Sequence, residues 1–156
     1  MDLHAIVSER EPMPTIDRDA VKAYAHDLHK QGYNCAQCVI CSLMPVLGVD
    51  ADVDATFRAA EGFGTGMGGM TETCGAISGA VIAAGQLTSD GFGQPTSKTR
   101  TYKHARQIAA AFQEKNGSTI CHELKGIGCD HGPLRSCPGC IEDAIDIAID
   151  ILAPQE

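Results

Sequence analysis

Eight cysteines are the residues of this chain best suited to chemistry: Cys35, Cys38, Cys41, Cys74, Cys121, Cys129, Cys137 and Cys140. A thiolate attacks disulfides, and it is also a soft ligand for zinc and for iron–sulfur clusters. Cys-x-x-Cys spacing occurs at Cys35/Cys38 and again at Cys137/Cys140. Nearly a hundred residues separate those pairs, which lies outside the local zinc-finger patterns. Cys35-x-x-Cys38-x-x-Cys41 shares its spacing with part of the ferredoxin signature. Ferredoxin ligands come from a loop, however, and residues 36–47 read as a helix. At 100° per residue these three thiols spread over about 120° and about 9 Å of rise. They share a face with Ser42, opposite the stripe Ala36, Val39, Ile40, Leu43 and Leu47. On that placement one or two of the three reach a common site.

The remaining polar motifs are weaker. His122, next to Cys121, and His131, in a Gly-rich loop, read as surface or outer-shell groups; His26, His29 and His104 read as ordinary polar-face residues of helices. Gly64-Thr65-Gly66-Met67-Gly68-Gly69 fits G-x-G-x-x-G, but no strand precedes it, so it is not a dinucleotide fingerprint. Its amides are suited to approaching a cofactor or donating hydrogen bonds to sulfur, with Met67 and Met70 as packing residues. No Ser/His/Asp arrangement or carboxylate pair is apparent.

The elements that must position the thiols are helices. Val21, Tyr24, Ala25 and Leu28 recur at helical spacing over 17–30, with Gly32 after the end. Asn34 is placed to cap a second helix running to Leu47 and stopped by Gly48. Further helices are expected over 52–61, 74–87, 97–116, 118–124 and 138–152, with Gly-rich loops over 62–69 and 126–132. Thr71 and Ser118 are the expected caps of the helices that carry Cys74 and Cys121. Cys35, Cys74, Cys121 and Cys140 then all fall in first turns, where free N–H groups and the positive dipole end stabilise a thiolate. In the last helix Ile141, Ala144, Ile145, Ala148, Ile149 and Leu152 form the apolar stripe, and Glu142, Asp143, Asp146 and Asp150 the solvated face. No stretch alternates with period two. The fold class is all-α: a single compact domain of about six helices over 17–156, with Gly-rich connecting loops, after an irregular tail over 1–16.

Composition narrows the function classes. In 156 residues there are 17 glycines, no Trp and only 4% aromatics, so packing depends on close backbone approach. A net charge of −8 argues against nucleic acid and anionic membranes as partners. Eight cysteines, about 5% of the chain, fall below the roughly 8–10% of disulfide scaffolds. The first fourteen residues carry Asp2, Glu9, Arg10 and Glu11 and no apolar run of a signal peptide. Residues 77–88, the longest nearly uncharged stretch, are interrupted by Gly79 and Gly85 and fall short of the ~20 residues of a membrane span. The expectation is a cytoplasmic protein whose cysteines serve metal or redox chemistry rather than structural disulfides.

Cys74-Gly75-Ala76-Ile77-Ser78-Gly79, with Gly32-Tyr33-Asn34-Cys35-Ala36-Gln37 before it and Cys121 and Cys140 after it, resembles the C-GCAxxG-C-C family of redox-active proteins. The likeness covers roughly residues 17–152. Gly75, Gly79 and Ala83 make a small-residue stripe for close helix packing. The family is similar to the N-terminal part of split-Soret cytochrome c, and that resemblance implies an iron–sulfur centre, with Cys35, Cys74, Cys121 and Cys140 as the family cysteines. No C-x-x-C-H motif is present, so the haem part does not carry over. Cys38, Cys41, Cys129 and Cys137 are additional to the pattern.

Three readings follow. The first is an electron-transfer or redox-sensing protein with an iron–sulfur cluster on Cys35, Cys74, Cys121 and Cys140, with Cys38 or Cys137 as substitute ligands. The second is metal-free thiol–disulfide chemistry by the same four thiols, with Cys38 or Cys137 as resolving partner. The third is a structural zinc module. A redox partner protein is expected rather than a turned-over substrate. Lys98, Arg100, Lys103 and Arg106 form a solvated basic face, with docking of an acidic redox partner as the less favoured reading. The cysteine face of the second helix is a candidate surface for a second subunit.

Overall fold

The computed structural model describes residues 15–154; the tail expected over 1–16 lies outside them except for Thr15 and Ile16. Seven α-helices occur among the described residues: α1 (Arg18–Lys30), α2 (Cys35–Leu47), α3 (Val53–Glu61), α4 (Gly75–Thr88), α5 (Lys98–Asn116), α6 (Cys121–Lys125) and α7 (Cys137–Leu152). Each overlaps a stretch expected to be helical, the shortest being α6, five residues long, in the region expected over 118–124. A π-helical turn occupies Gly66–Met70 and a 3-10 turn Pro95–Ser97. The fold is all-α, and among the described residues the one β feature is an isolated antiparallel bridge between Thr73 and Ile120.

Local signals place most helix ends. Asp17 caps α1 by accepting from the Ala20 N–H at 3.1 Å. Asn34 accepts from the Gln37 N–H at 3.0 Å and the Gln37 side chain accepts from the Asn34 N–H at 3.1 Å, a reciprocal capping box. Gly48 and Gly117 end α2 and α5 in the left-handed conformation. The caps expected at Thr71 and Ser118 are not made. Residues 72–74 and 119–121 are instead paired: the Cys74 N–H donates to the Thr119 carbonyl at 2.8 Å, and the Cys121 N–H to the Glu72 carbonyl at 3.0 Å. Cys74 becomes the cap residue of α4, and Cys121 the first residue of α6. The Ser118 hydroxyl accepts from the Ile120 N–H at 3.0 Å and donates to Glu123. At the last helix, Ser136 accepts from the Gly139 N–H at 3.1 Å, so α7 starts at Cys137, one residue earlier than expected.

Helices α2, α4 and α7 form the centre; α1 packs on α2 and α7, α3 on α2, and α5 on α4 and α7. The α2–α4 contact is backbone against backbone. A Cβ on Gly79 would meet the Ala36 carbonyl oxygen at 2.7 Å and the Val39 Cβ at 3.0 Å, so the small-residue stripe of α4 is a packing surface. Few large side chains are then needed: Ile40, Leu43, Ile77, Ile108, Phe112, Ile141 and Ile145 fill the interior. Because α2 is central, Cys38 and Ser42 are buried as fully as the stripe they were expected to oppose.

The acidic face of α7 also departs from expectation, because it is a docking face rather than a solvated one. Asp146 pairs with Arg18 at 3.2 Å and with Lys22 at 2.7 Å, Asp150 with Arg18 at 2.5 Å, and Glu142 with His26 at 2.8 Å; all three basic partners are on α1. Asp143 turns the other way and is 1% exposed. Its carboxylate accepts from Lys115 at 2.6 Å, from the Arg135 Nε at 3.0 Å and from Asn116 at 3.1 Å. Lys98, Arg100, Lys103 and Arg106 form the exposed basic face that was expected, where Arg100 holds Asp90 at 2.9 Å.

Burial alone would raise the Asp143 carboxyl, but Lys115, Arg135 and Asn116 outweigh it and hold the group below the usual carboxylate range. A carboxyl lowered by folding stabilises fully above its unfolded value, about 3.9, and that stability is lost as pH falls through the folded value. Asp143→Ala is expected to cost about 1–3 kcal/mol in urea unfolding, the scale of lost charged hydrogen bonds, since the stranded Lys115 and Arg135 side chains still reach solvent. It is also expected to flatten the loss of stability below pH ~4.

Candidate functional site

The polar ends of the central helices meet round one cavity of about 130 Å³, whose wall carries five of the eight cysteines: Cys35, Cys74, Cys121, Cys137 and Cys140. Each arrives on the first turn or cap of a helix. Cys35 is the first residue of α2, Cys74 caps α4, Cys121 begins α6, and Cys137 and Cys140 share the first turn of α7. All eight cysteines are free thiols. Cys38 lies outside the cavity, fully buried, with its thiol donating to the Tyr33 carbonyl at 3.6 Å. Cys41 is half-buried on α2 and also away from the cavity. Cys129 sits in the loop after α6, 3.8 Å from the His122 Nδ1. His122 therefore faces Cys129 rather than the cavity, and His131 bonds only its neighbour Gly132.

Glycines make the convergence possible. A Cβ on Gly75 would meet the Cys35 sulfur at 2.5 Å and the Phe63 carbonyl oxygen at 2.8 Å. The thiol from α2 therefore occupies the space that any other residue would fill at the start of α4. A Cβ on Gly66 would meet the Cys121 Cβ at 2.6 Å, so the Gly-rich loop lies directly on α6. Gly126, with φ of 72°, packs on the backbone of Gly132. The Leu134 N–H then bonds back to the Leu124 carbonyl at 2.8 Å. That closure brings Arg135, Cys137 and Cys140 over α6.

The loop from Gly64 to Met70 contributes Thr65 to the wall. Thr65, Gly66, Met67, Gly68 and Met70 all have positive φ, a conformation that costs an ordinary residue about 1–2 kcal/mol. Strain of this kind gathers at functional sites. Here it aims the Thr65 N–H at the Cys35 sulfur, the amide-to-sulfur role foreseen for this loop.

The thiols differ in ionisation. Cys140 and Cys74 are hydrogen-bonded to each other. That bond lowers Cys74 to about 7 against the pull of burial, with help from the Ala76 and Ile77 amides and the Lys125 charge. The same bond, with burial, raises Cys140. Burial raises Cys35 despite the Thr65 amide, and raises Cys121 despite Lys125. Away from the cavity, burial pushes Cys38 up to about 12.

Three wall residues were not legible as site residues, and a fourth, Thr65, was legible only as part of its Gly-rich loop. Lys125 stands four positions after Cys121, one turn along α6, and that spacing is the signal that could have found it. Arg135 reaches the wall because Gly139 leaves room for its guanidinium and Asp143 holds it. Thr65 is placed by backbone conformation alone. His29, expected on an ordinary polar face, lines the cavity from α1, and nothing in its sequence neighbourhood marks it.

Soft sulfur donors surround the cavity, with Lys125 and Arg135 offering positive charge and His29 an imidazole ring. No group of three or more His, Cys, Asp or Glu side chains among the described residues is placed to hold a metal ion. No helix among them is long and apolar enough to cross a membrane. The family model described as “Putative redox-active protein (C_GCAxxG_C_C)” matches residues 33–151. No curated protein and no solved structure matches the chain.

Gly75→Ala is expected to displace the Cys35 sulfur and to make it more reactive than in the wild type, read by mass spectrometry of alkylated peptides. In the metal-free protein the alkylation rate of Cys74 is expected to rise through pH about 7. Cys140→Ala, which removes the donor, shifts that midpoint upward.

Proposed function

The chain belongs to the C-GCAxxG-C-C family of redox-active proteins, and on that footing we propose that it is an electron-transfer or redox-sensing protein whose centre is an iron–sulfur cluster held by Cys35, Cys74, Cys121 and Cys140. The observation that carries this reading is their convergence: four thiols from four helices, spread over more than a hundred residues, line one cavity. The donor set suits the group, since thiolates are the usual ligands of such clusters.

When bound, the cluster supplies one-electron chemistry. The chain's own residues hold it and set its potential. The Thr65 amide bonds the Cys35 sulfur and the Ala76 and Ile77 amides bond the Cys74 sulfur. Lys125 and Arg135 add positive charge on the same wall. All of these offset the charge of four thiolates, which raises a reduction potential. Burial of Cys74, Cys121 and Cys140 to 6%, 5% and 3% exposure keeps water from three of the sulfurs. Thiols ranged round a cavity suit a polynuclear group better than one zinc ion at a common centre, so a structural zinc module is the least supported reading.

A second reading is favoured by one contact. Cys74 and Cys140 touch, and Cys74 is lowered to about 7, which is the arrangement of a thiolate beside its disulfide partner. In that reading the same cavity carries a two-electron dithiol couple in a metal-free protein. Both readings give Cys74 and Cys140 a redox role, and both draw the active sulfur from helix N-termini.

The deciding measurement is an absorption spectrum of anaerobically purified protein, with iron, sulfide and zinc assayed on the same sample. Broad absorbance at about 400 nm with matching iron and sulfide is expected for thiolate-held clusters. Ser substitution of Cys35, Cys74, Cys121 or Cys140 should then lower the iron content, while Cys41→Ser and Cys129→Ser should leave it unchanged. Protein that stays colourless and iron-free after anaerobic reconstitution would overturn the cluster reading and leave the dithiol couple.

A further inference from the structure

Cys74 and Cys140 line one cavity and share a hydrogen bond, but at 6% and 3% exposure both sulfurs are nearly closed to a reagent in solution. A buried dithiol exchanges with external disulfides only through a thiol that reaches both sides. Cys137 has that position. It is the first residue of α7, half-buried, between the exposed residues Ser136 and Pro138. It lies on the cavity wall with Cys74 and Cys140. Residues three apart on a helix are neighbours on its surface, so Cys137 and Cys140 stand side by side on one turn. Gly139 between them adds no side chain, and the Arg135 guanidinium fills that space. Cys35, also half-buried, cannot take this part, because its sulfur is closed in against Gly75 and under the Thr65 amide.

We propose that Cys137 is the access thiol of the Cys74–Cys140 couple, receiving oxidising equivalents from a low-molecular-weight disulfide of the glutathione class and passing them inward. The proposal rests on the dithiol reading of the cavity and applies to the cluster-free protein, where Cys140 is not engaged as a ligand. The Cys137 sulfur attacks the external disulfide, whose S–S bond breaks. One half leaves as a free thiol carrying the Cys137 proton, and the other half stays as a mixed disulfide. The Cys140 sulfur next displaces that half, which leaves with the Cys140 proton, and a Cys137–Cys140 disulfide forms. The Cys74 sulfur then attacks Cys140, and Cys137 is released as a thiol with the Cys74 proton. In sum Cys74 and Cys140 lose two electrons and two protons, and the external disulfide becomes two thiols.

The test is the reaction of the full-length, metal-free chain with glutathione disulfide under anaerobic conditions, quenched by alkylation and mapped by mass spectrometry. The wild type is expected to end with a Cys74–Cys140 disulfide and no retained glutathione. Cys140→Ser is expected to trap glutathione on Cys137. Cys137→Ser is expected to slow disulfide formation by about tenfold or more, since the attacking sulfur must then be one nearly closed to solvent. Oxidation of Cys137→Ser at the wild-type rate, or a trapped adduct on another cysteine, would overturn the role of Cys137. A wild type that stops at Cys137–Cys140, with glutathione still trapped on Cys137 in Cys140→Ser, would overturn the buried couple while upholding Cys137 as the accessible sulfur.

Discussion

At the start of α4 the sulfur of Cys35 sits where a side chain would be. Gly75 has none, and with Gly79 one turn later it lets α2 and α4 approach until backbone atoms touch side-chain atoms. Everything round the cavity depends on this approach. If the two helix N-termini were held apart by ordinary side chains, the α2 thiol could not share a wall with the α4 thiol. The Gly64–Met70 loop would then lose the groups on which it folds. The interior made of Ala and Gly along α4 extends the same constraint through the molecule, and it explains how a chain without Trp fills a core.

The electrostatics of the site rest on a second layer of contacts. A cavity lined by five thiols offers little to neutralise negative charge on sulfur except backbone amides and the cations at the rim. Lys125 gets there by helix spacing, but Arg135 gets there because Asp143 is buried behind it. The carboxylate ties α5, through Lys115 and Asn116, to the guanidinium at the cavity wall. One ion-pair cluster thus serves packing at one end and the thiols at the other. The left-handed conformation of Thr65, Gly66, Met67, Gly68 and Met70 is the opposing cost, and the Thr65 amide on sulfur is what it yields.

Helix existence was legible in the sequence because it rests on local signals, and the four thiols were marked by the family resemblance together with their places near helix starts. Caps at Asp17 and Asn34, stops at Gly48 and Gly117, and cysteines near helix starts all act within a few residues. What escaped depends on distant parts of the chain. Thr71 and Ser118 are good caps by composition, but the pairing of 72–74 with 119–121 draws those backbones into extended conformation and shifts both helix starts. Asp143 looks like its neighbours Glu142 and Asp146, and only the position of α5 makes it the buried one. The acidic face of α7 reads as solvated until α1, with Arg18, Lys22 and His26, is laid across it. His29 carries no local mark because its place is set by how α1 crosses the ends of α2 and α7.

The bridge between Thr73 and Ile120 has a bearing on how the centre comes into being. Its two sides are separated by α4, the following loop and the whole of α5, and the last wall of the cavity, at Cys137 and Cys140, comes later still in the chain. Closing so long a loop carries an entropic cost that must be met before the contacts inside it form. The thiols are therefore gathered by non-local contacts rather than by the helices that carry them. As the chain is synthesised, α1 to α5 can associate while no complete sulfur cage exists. Maturation of this centre, whether by inserting inorganic sulfide and iron or by forming a disulfide, needs the chain synthesised at least as far as Cys140, in the first turn of α7.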